Sequence, residues 1–370
     1  VRIGLVSAYA LDVPGGVQDQ VLGLARHLTA AGHEVRVLAP GPAVAGSTSA
    51  GPAVPVPGNG SVARLAPVVG RTRVRRWVAG LDVVHLHEPL APGVGQAVFR
   101  VAARGGPPLV ATVHACSDSA LLAVAAPVLR RRLRLAAQVT AVSRHAAATL
   151  ARIGVAADEL VPNAVDVPGA SGRGGRPGER ATVVAVGRLA EPRKGIDVLL
   201  AAWPAVRRAT GAELVLVGPG RPRGARVLPD GVRLAGRVPD AERDALVGAA
   251  GVVVAPHRGG ESFGLVVAEA MAWGRPVVAS DLPPFADLLA AGPAGDAAGL
   301  LVPPGHPGAL ADALVRVLTD PGLGARMGAA GRVCAARFAW PAIVPRYVVV
   351  YRRAVTTARA ASRGMPDPSW

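Results

Sequence analysis

Lysine is almost missing from this chain. Of 41 basic residues, 40 are arginine and one, Lys194, is lysine. Cysteine is scarce as well. Cys116 and Cys334 stand far apart and match no metal or redox spacing, so a reduced cytosolic compartment is expected. Aromatic residues make up only 3% of the chain, and no helix-turn-helix or related signature is present. Nucleic-acid binding therefore ranks low despite a net charge of +16. No apolar run reaches the roughly 18 residues that span a bilayer. No charged segment followed by a cleavable apolar core opens the chain, so no signal peptide is expected. No D-x-D or acidic pair is placed to hold a divalent cation, and no metal or other cofactor is expected.

What is present is a globular composition. The chain has 370 residues, 51% of them hydrophobic, with 46 glycines and 34 prolines, enough for two domains. Arginine in place of lysine is also what a GC-rich genome produces. The informative charge is the clustered charge at Arg71–Trp77 and Arg130–Arg134.

In order, Arg2–Ser7 reads as a strand, Asp12–Gln18 as a glycine-proline loop, Val17–Ala31 as a helix and Val35–Ala39 as a strand. This is the opening unit of a Rossmann-like layer. Its glycine loop is not G-x-G-x-x-G, so the dinucleotide reading is weak, although Gly15 and Gly16 allow close approach to a phosphate. Residues 41–58 read as loop. Arg64 and Arg71–Trp77 read as one basic amphipathic helix, with Arg64, Arg71 and Arg75 on one side. Asp82–Leu86 and Leu109–His114 read as strands, with His114 at a carboxyl end, where open α/β sheets bind ligands. Ala120–Leu129 is apolar and runs into the second basic cluster, and Ser143 caps a helix after the Val139–Val142 strand.

Residues 167–180 form the clearest linker, rich in Pro, Gly, Ser and Arg. The expected division is 1–166, 167–180, 181–335, a C-terminal helix at 336–360 and a frayed tail at 361–370. After the linker the pattern restarts. Strands are expected at Thr182–Val186, Glu213–Val217, Val232–Leu234, Val252–Ala255, Pro276–Ser280 and Leu300–Val302. Helices are expected at Ile196–Thr210, Asp240–Ala249, Ala309–Leu318 and Val333–Ala358.

One stretch, Pro256–Glu269 (PHRGGESFGLVVAE), carries two carboxylates eight positions apart. If Glu261 opens a helix, Glu269 lies about 80° round its axis and two turns along. Backbone N–H groups at such a helix mouth suit a ligand bearing hydroxyls and phosphates. Lys194, with Arg188 six residues earlier, reads as a pair of point charges for a diphosphate.

These residues resemble the retaining glycosyltransferases of the GT-B fold that share a Glu-x7-Glu motif, here Glu261 to Glu269 within GGESFGLVVAEAMAWGRPVVAS. The N-terminal half is similar to actinobacterial phosphatidylinositol mannosyltransferases through Tyr9 and DVPGGVQ, GHEVRVLAP, NGSVARL, VHLHEP and ATVH, with EPRKG and PHRGGESFG further on. After His114 that pattern has small hydroxyl residues, where this chain has Ala115-Cys116-Ser117-Asp118.

The resemblance implies an α/β fold of two Rossmann-like domains facing across a cleft, with the C-terminal helix returning to the first. It implies retaining, metal-independent mannosyl transfer from GDP-mannose to phosphatidyl-myo-inositol at the inner face of the plasma membrane. Arg188, Lys194 and the backbone at Gly15 and Gly16 would hold the diphosphate. Glu269 would hold the ribose, and Glu261 with Ser262, Phe263 and Gly264 the mannose, with Val238 nearby. His114 would contact the transferring sugar and, with Glu261, carry catalysis. Tyr9, Gln18, Asn59 and Arg64 would face the acceptor. Arg71, Arg73, Arg75 and Arg76 would meet an anionic phospholipid membrane. The same fold also admits another nucleotide sugar and a soluble or other lipid acceptor.

Overall fold

The computed structural model describes residues 1–44, 46–58, 61–117, 119–168, 181–224, 227–290 and 297–363. It divides into two compact units. Unit 1 holds Val1–Ala164 with the chain from Trp340 on, and unit 2 holds Val165–Ala339. Asn59, most of the expected linker and residues 364–370 of the tail lie outside the described residues.

Unit 1 is built on β1 (Arg2–Ser7), β2 (Glu34–Ala39), β3 (Thr48–Ser49), β4 (Val54–Gly58), β5 (Ser61–Leu65), β6 (Val83–His87), β7 (Leu109–Val113), β8 (Gln138–Ala141) and β9 (Glu159–Leu160). Seven of these form one parallel sheet in the order β3-β2-β1-β6-β7-β8-β9, and β4 and β5 form a separate antiparallel hairpin. The strand order reverses at β1, so the glycine loop after β1 and the end of β6 flank the switch point where open sheets take ligands. The crossovers are α1 (Gly16–Ala30), α2 (Arg71–Trp77), α3 (Val94–Ala102), α4 (Ala120–Leu133) and α5 (Arg144–Arg152). Ser143 accepts from the Ala146 N–H and caps α5, as its type predicts.

Unit 2 repeats the scheme. Its strands are β10 (Thr182–Val186), β11 (Glu213–Val217), β12 (Val232–Gly236), β13 (Val252–Ala255), β14 (Val277–Ser280) and β15 (Gly299–Val302). They form a parallel sheet in the order β12-β11-β10-β13-β14-β15. Runs such as VVVA in β13 are apolar throughout because helices cover both faces of a parallel sheet. Its helices are α6 (Ile196–Thr210), α7 (Asp240–Ala249), α8 (Leu265–Ala272), α9 (Pro283–Leu289), α10 (Pro307–Thr319) and α11 (Pro321–Ala335).

The last helix, α12 (Trp340–Arg363), returns to unit 1. Trp340, Ile343, Val344, Tyr347, Val350, Tyr351 and Ala354 recur at helical spacing, and all are buried in the core formed by β1, β6 and α1. His27 of α1 stacks on Trp340 at 4.7 Å.

Three expectations need correction. Residues 41–58 are not all loop, since β3 and β4 lie there; β3 is only two residues long, and Pro55 and Pro57 lie inside β4, so neither shows a strand period. Arg64 is not on a helix with Arg71 and Arg75. It sits on β5, and α2 is only the seven residues Arg71–Trp77. The expected helix Val333–Ala358 is broken. α11 ends at Ala335, a 3-10 turn covers Ala336–Phe338, and α12 starts at Trp340, with Pro341 placed where a first helical turn tolerates it. Helices α3, α9 and α11 were not expected. The last two begin at prolines, as first-turn prolines allow.

Candidate functional site

In unit 2 the turn after β10 meets the segment after β13. Pro192–Lys194 forms one 3-10 turn, and Gly195 then takes a left-handed conformation with φ 64° before α6 begins. A Cβ at Gly195 would lie 1.8 Å from the Pro256 carbonyl oxygen, so only glycine lets the two segments touch. The Arg258 N–H also donates to the Arg193 carbonyl, at 2.8 Å.

This seam brings the charges together. Lys194 Nζ lies 3.2 Å from Glu261 Oε2, and both side chains are largely buried. Arg193 Nη1 is 3.9 Å from the same oxygen and donates to the Gly260 carbonyl at 3.3 Å. His257 Nδ1 is 3.1 Å from it, off the hydrogen-bonding direction. Arg188 donates to Glu191 at 3.0 Å. Burial alone would raise the Glu261 pKa, but Lys194, His257 and Arg193 outweigh it and hold the carboxylate well below its usual range. Burial lowers the Lys194 pKa against the pull of Glu261. Burial, with help from Lys194, pushes His257 down to about 4, which leaves it neutral at pH 7.

Glu261 lies in the loop before α8, not on the helix. Gly260 has φ 67° and Gly264, the N-cap, has φ 98°, so α8 begins only at Leu265. The 80° relation to Glu269 therefore does not hold. Glu269 is half-buried in the second turn of α8, and its charge raises the pKa of Arg243 on α7, against burial. Ser262 is half-buried. Phe263 is buried edge-on against Phe338, so what it can offer a ligand is backbone. Val238 is half-buried between β12 and α7.

In unit 1, β6 places His85 and His87 on one face by strand alternation, and α12 covers that face. His85 bridges Tyr351 Oη at 2.9 Å and Thr112 Oγ1 at 2.6 Å. His87 Nδ1 and His114 Nε2 lie 3.0 Å apart and share one proton. Burial lowers the pKa of all three rings, to about 4 for His114, where a hydrogen bond with Asn163 partly opposes it. His114 is thus a neutral imidazole with a fixed ring.

Its backbone is fixed as well. Glu88 Oε2 accepts from the His114 N–H at 3.1 Å and the Ala115 N–H at 2.8 Å. Glu88 is only 2% exposed and has φ 60°, the one positive φ at a non-glycine among the described residues. Burial raises its pKa to about 7, against the N–H groups of Ala115, His114 and Leu90.

The other predicted residues of unit 1 lie around α1 and the hairpin. Gly15 is the N-cap of α1 and Gly16 its first residue. The Arg64 guanidinium pairs with the Asp12 carboxylate, and the Ala10 N–H donates to the Arg64 carbonyl at 2.9 Å, so β5 clasps the glycine loop. Gln18 is buried, with its amide toward the Ala10 carbonyl at 3.4 Å, and Tyr9 is half-buried. Arg71, Arg73, Arg75 and Arg76 are exposed on α2, while Val74 and Trp77 are buried.

Sequence reasoning missed Glu88, His85, His87, Asn163, Glu191, Arg193 and His257. The signal for the first three was visible: histidines at i and i+2 in a strand-like run, followed by a buried-type acid. Among the described residues no three His, Cys, Asp or Glu side chains are grouped to hold a metal.

Residues 14–167 match the family described as Glycosyltransferase Family 4, and residues 180–320 match Glycosyl transferases group 1. The chain is 42% identical to a phosphatidyl-myo-inositol mannosyltransferase of Mycobacterium leprae, covering 96% of this chain and 98% of that one. It is 37% identical to a protein of the same name from Propionibacterium freudenreichii, with 99% and 98% covered. Anabaena HepE, solved in complex with UDP, superposes with a TM-score of 0.73 at 18% identity over 95% of this chain and 100% of that one, a likeness of fold.

Proposed function

The chain belongs to the group 1 glycosyltransferases, in the family of the phosphatidyl-myo-inositol mannosyltransferases, and we propose that it moves mannose from GDP-mannose to phosphatidyl-myo-inositol. It is a GT-B enzyme, and in this reading it acts with retention of configuration, without a metal, at the inner face of the membrane. The bond from mannose C1 to the diphosphate oxygen breaks, and a bond from C1 to an inositol oxygen forms on the same face. The inositol hydroxyl proton passes to the departing diphosphate.

The observation that carries the reading is the Lys194–Glu261 pair, 3.2 Å apart and largely buried. A buried cation and carboxylate on converging loops match the two needs of a nucleotide diphosphate sugar: charge for the phosphates and an acceptor for sugar hydroxyls. Arg188 and the backbone of Gly15 and Gly16 add to the diphosphate contacts, and Glu269 takes the ribose. Ser262, Phe263 and Gly264 offer backbone amides, with Val238 at the margin. His114, neutral and fixed by His87 and Glu88, takes a hydroxyl of the transferring sugar. Tyr9, Gln18, Asn59 and Arg64 receive the inositol phosphate. Arg71, Arg73, Arg75 and Arg76 meet the anionic lipid surface.

Calorimetric titration tests the donor half. GDP-mannose binds the native protein, and Lys194→Ala weakens it by about a hundredfold, the loss expected for a buried charge-assisted contact. Tighter binding of UDP-glucose than of GDP-mannose would favour the other donor that this fold admits.

A further inference from the structure

Unit 1 holds a cavity of about 380 Å³ at the end of its sheet opposite to Gly15 and His114. Ile3 near the start of β1, His33 just before β2 and Asp82 just before β6 line one side of it. Helix α12 lines the other with Val348, Tyr351, Arg352, Val355 and Arg359, which share one face at i, i+3, i+4, i+7 and i+11. The volume falls within the range of small-molecule sites. Ile3, Val348, Val355 and the Tyr351 ring make one part of the wall apolar.

The charge on the remaining wall is unbalanced. Among the described residues lining the cavity Asp82 is the only acid, and Arg2 takes it, through its backbone N–H at 2.8 Å and its guanidinium at 2.8 Å. Glu34, next to His33, pairs with Arg36 at 2.9 Å. Arg353 takes Glu159 at 3.1 Å, but its neighbour Arg352 makes no ion pair among the described residues. Burial first, and then positive charge that includes Arg352, lowers the His33 pKa. His33 Nδ1 is shut off from water and has no hydrogen-bond partner among the described residues. Two guanidinium groups and an imidazole beside an apolar wall suit an anion carried on an apolar body.

We propose that this cavity is a regulatory site for a soluble phosphate monoester with a small apolar body, its phosphate held by Arg352 and Arg359 and its body set against the Tyr351 ring. The guanidinium fork matches phosphate oxygens, and the volume is too small for a lipid with two long acyl chains. Tyr351 also leads to the reacting centre. Its Oη meets His85 Nδ1 at 2.9 Å, the His85 ring lies 3.9 Å from the His87 ring, and His87 Nδ1 meets His114 Nε2 at 3.0 Å. All four side chains are buried in a close-packed row, so a shift of Tyr351 is taken up along it and reaches His114. The effect on rate rests on the mannosyl-transfer reading above; ligand binding and the response of the rings do not.

The probe is phenyl phosphate, titrated into the full chain by calorimetry, with inorganic phosphate in parallel. Phenyl phosphate should bind about tenfold or more tightly than inorganic phosphate, because its ring leaves water. Arg352→Glu, at an exposed position and with a native thermal melt, should weaken phenyl phosphate by about tenfold or more. Lys194→Ala, in unit 2, should leave that binding unchanged. In protein labelled with ¹⁵N-histidine, saturating phenyl phosphate should shift the ring signals of His85, His87 and His114. Tyr351→Phe, which keeps the ring but drops the bond to His85, should retain the binding and diminish the shifts at His87 and His114. The kcat of mannosyl transfer should change over the same range of phenyl phosphate concentration.

Equal affinity for the two phosphates, or binding lost in Lys194→Ala and kept in Arg352→Glu, would overturn the site. Binding at the cavity with unmoved histidine signals would overturn its regulatory role. Tighter binding of dihexanoyl phosphatidic acid than of phenyl phosphate would assign the cavity to a lipid and refute the soluble ligand. Binding and histidine shifts in a protein that transfers no mannose would support the site and count against the mannosyl-transfer reading instead.

Discussion

Replacing Glu88 by glutamine should stabilise the protein at alkaline pH and do little at acid pH. Glu88 is a buried carboxyl whose pKa rises from 4.5 to about 7, chiefly through burial. Below about pH 4.5 it is protonated in both the folded and unfolded states and costs nothing. Between about 4.5 and 7 the unfolded chain releases the proton while the folded chain keeps it, so stability falls as pH rises. Above about 7 the loss is complete and flat, at ~3 kcal/mol. A glutamine oxygen keeps the N–H bonds from His114 and Ala115 but sets its NH₂ against the Leu90 N–H, at a cost of about 1 kcal/mol. The net expectation at pH 8 is a gain of ~2 kcal/mol, or about 4–8 °C in Tm for a unit of this size. Paired thermal melts of native and Glu88→Gln protein from pH 4 to 8 read the effect. The difference should grow in favour of the variant up to about pH 7 and then level. A pH-independent difference, or one favouring the native protein at pH 8, would refute the reasoning.

Glu88→Ala, which leaves the His114 and Ala115 N–H groups without their acceptor, should lower kcat by roughly tenfold or more with little change in donor KM, because it displaces His114. Unchanged kcat would remove Glu88 from the positioning of that ring. Gly195→Ala should weaken donor binding and cost about 2 kcal/mol or more of stability, because its Cβ meets the Pro256 carbonyl and its φ is left-handed. A variant with native Tm and native donor affinity would contradict the seam described here. Changing Arg71, Arg73, Arg75 and Arg76 to Ser should abolish binding to anionic vesicles, read by co-sedimentation, and retained binding would reduce α2 to an ordinary surface. Transfer activity should persist in excess EDTA, and its loss would reveal a metal requirement.

Most of the sheet architecture was legible because parallel strands buried on both faces read as apolar runs. TVVAV, ELVLV and VVVA fall where β10, β11 and β13 lie. Lys194 stood out because the composition uses arginine everywhere else, and the structure pairs it with Glu261. What could not be read was backbone departure from regular paths. Gly264 at φ 98° delays α8, so Glu261 approaches Lys194 from a loop and not from a helix face. Arg64 was grouped with the α2 arginines by sequence proximity, but it lies on strand β5 and pairs with Asp12 instead. Glu88 was passed over because its role lies in bonds to the backbone after β7, 26 and 27 residues away, which no local pattern encodes.

The most direct measurement offers a panel of nucleotide sugars, GDP-mannose among them, to the native protein with phosphatidylinositol vesicles and reads sugar transfer to the lipid by mass. The account predicts a hexose added from GDP-mannose, dependent on the inositol lipid and lost in Lys194→Ala. Transfer from a different nucleotide sugar, or to an acceptor other than the inositol lipid, would contradict it.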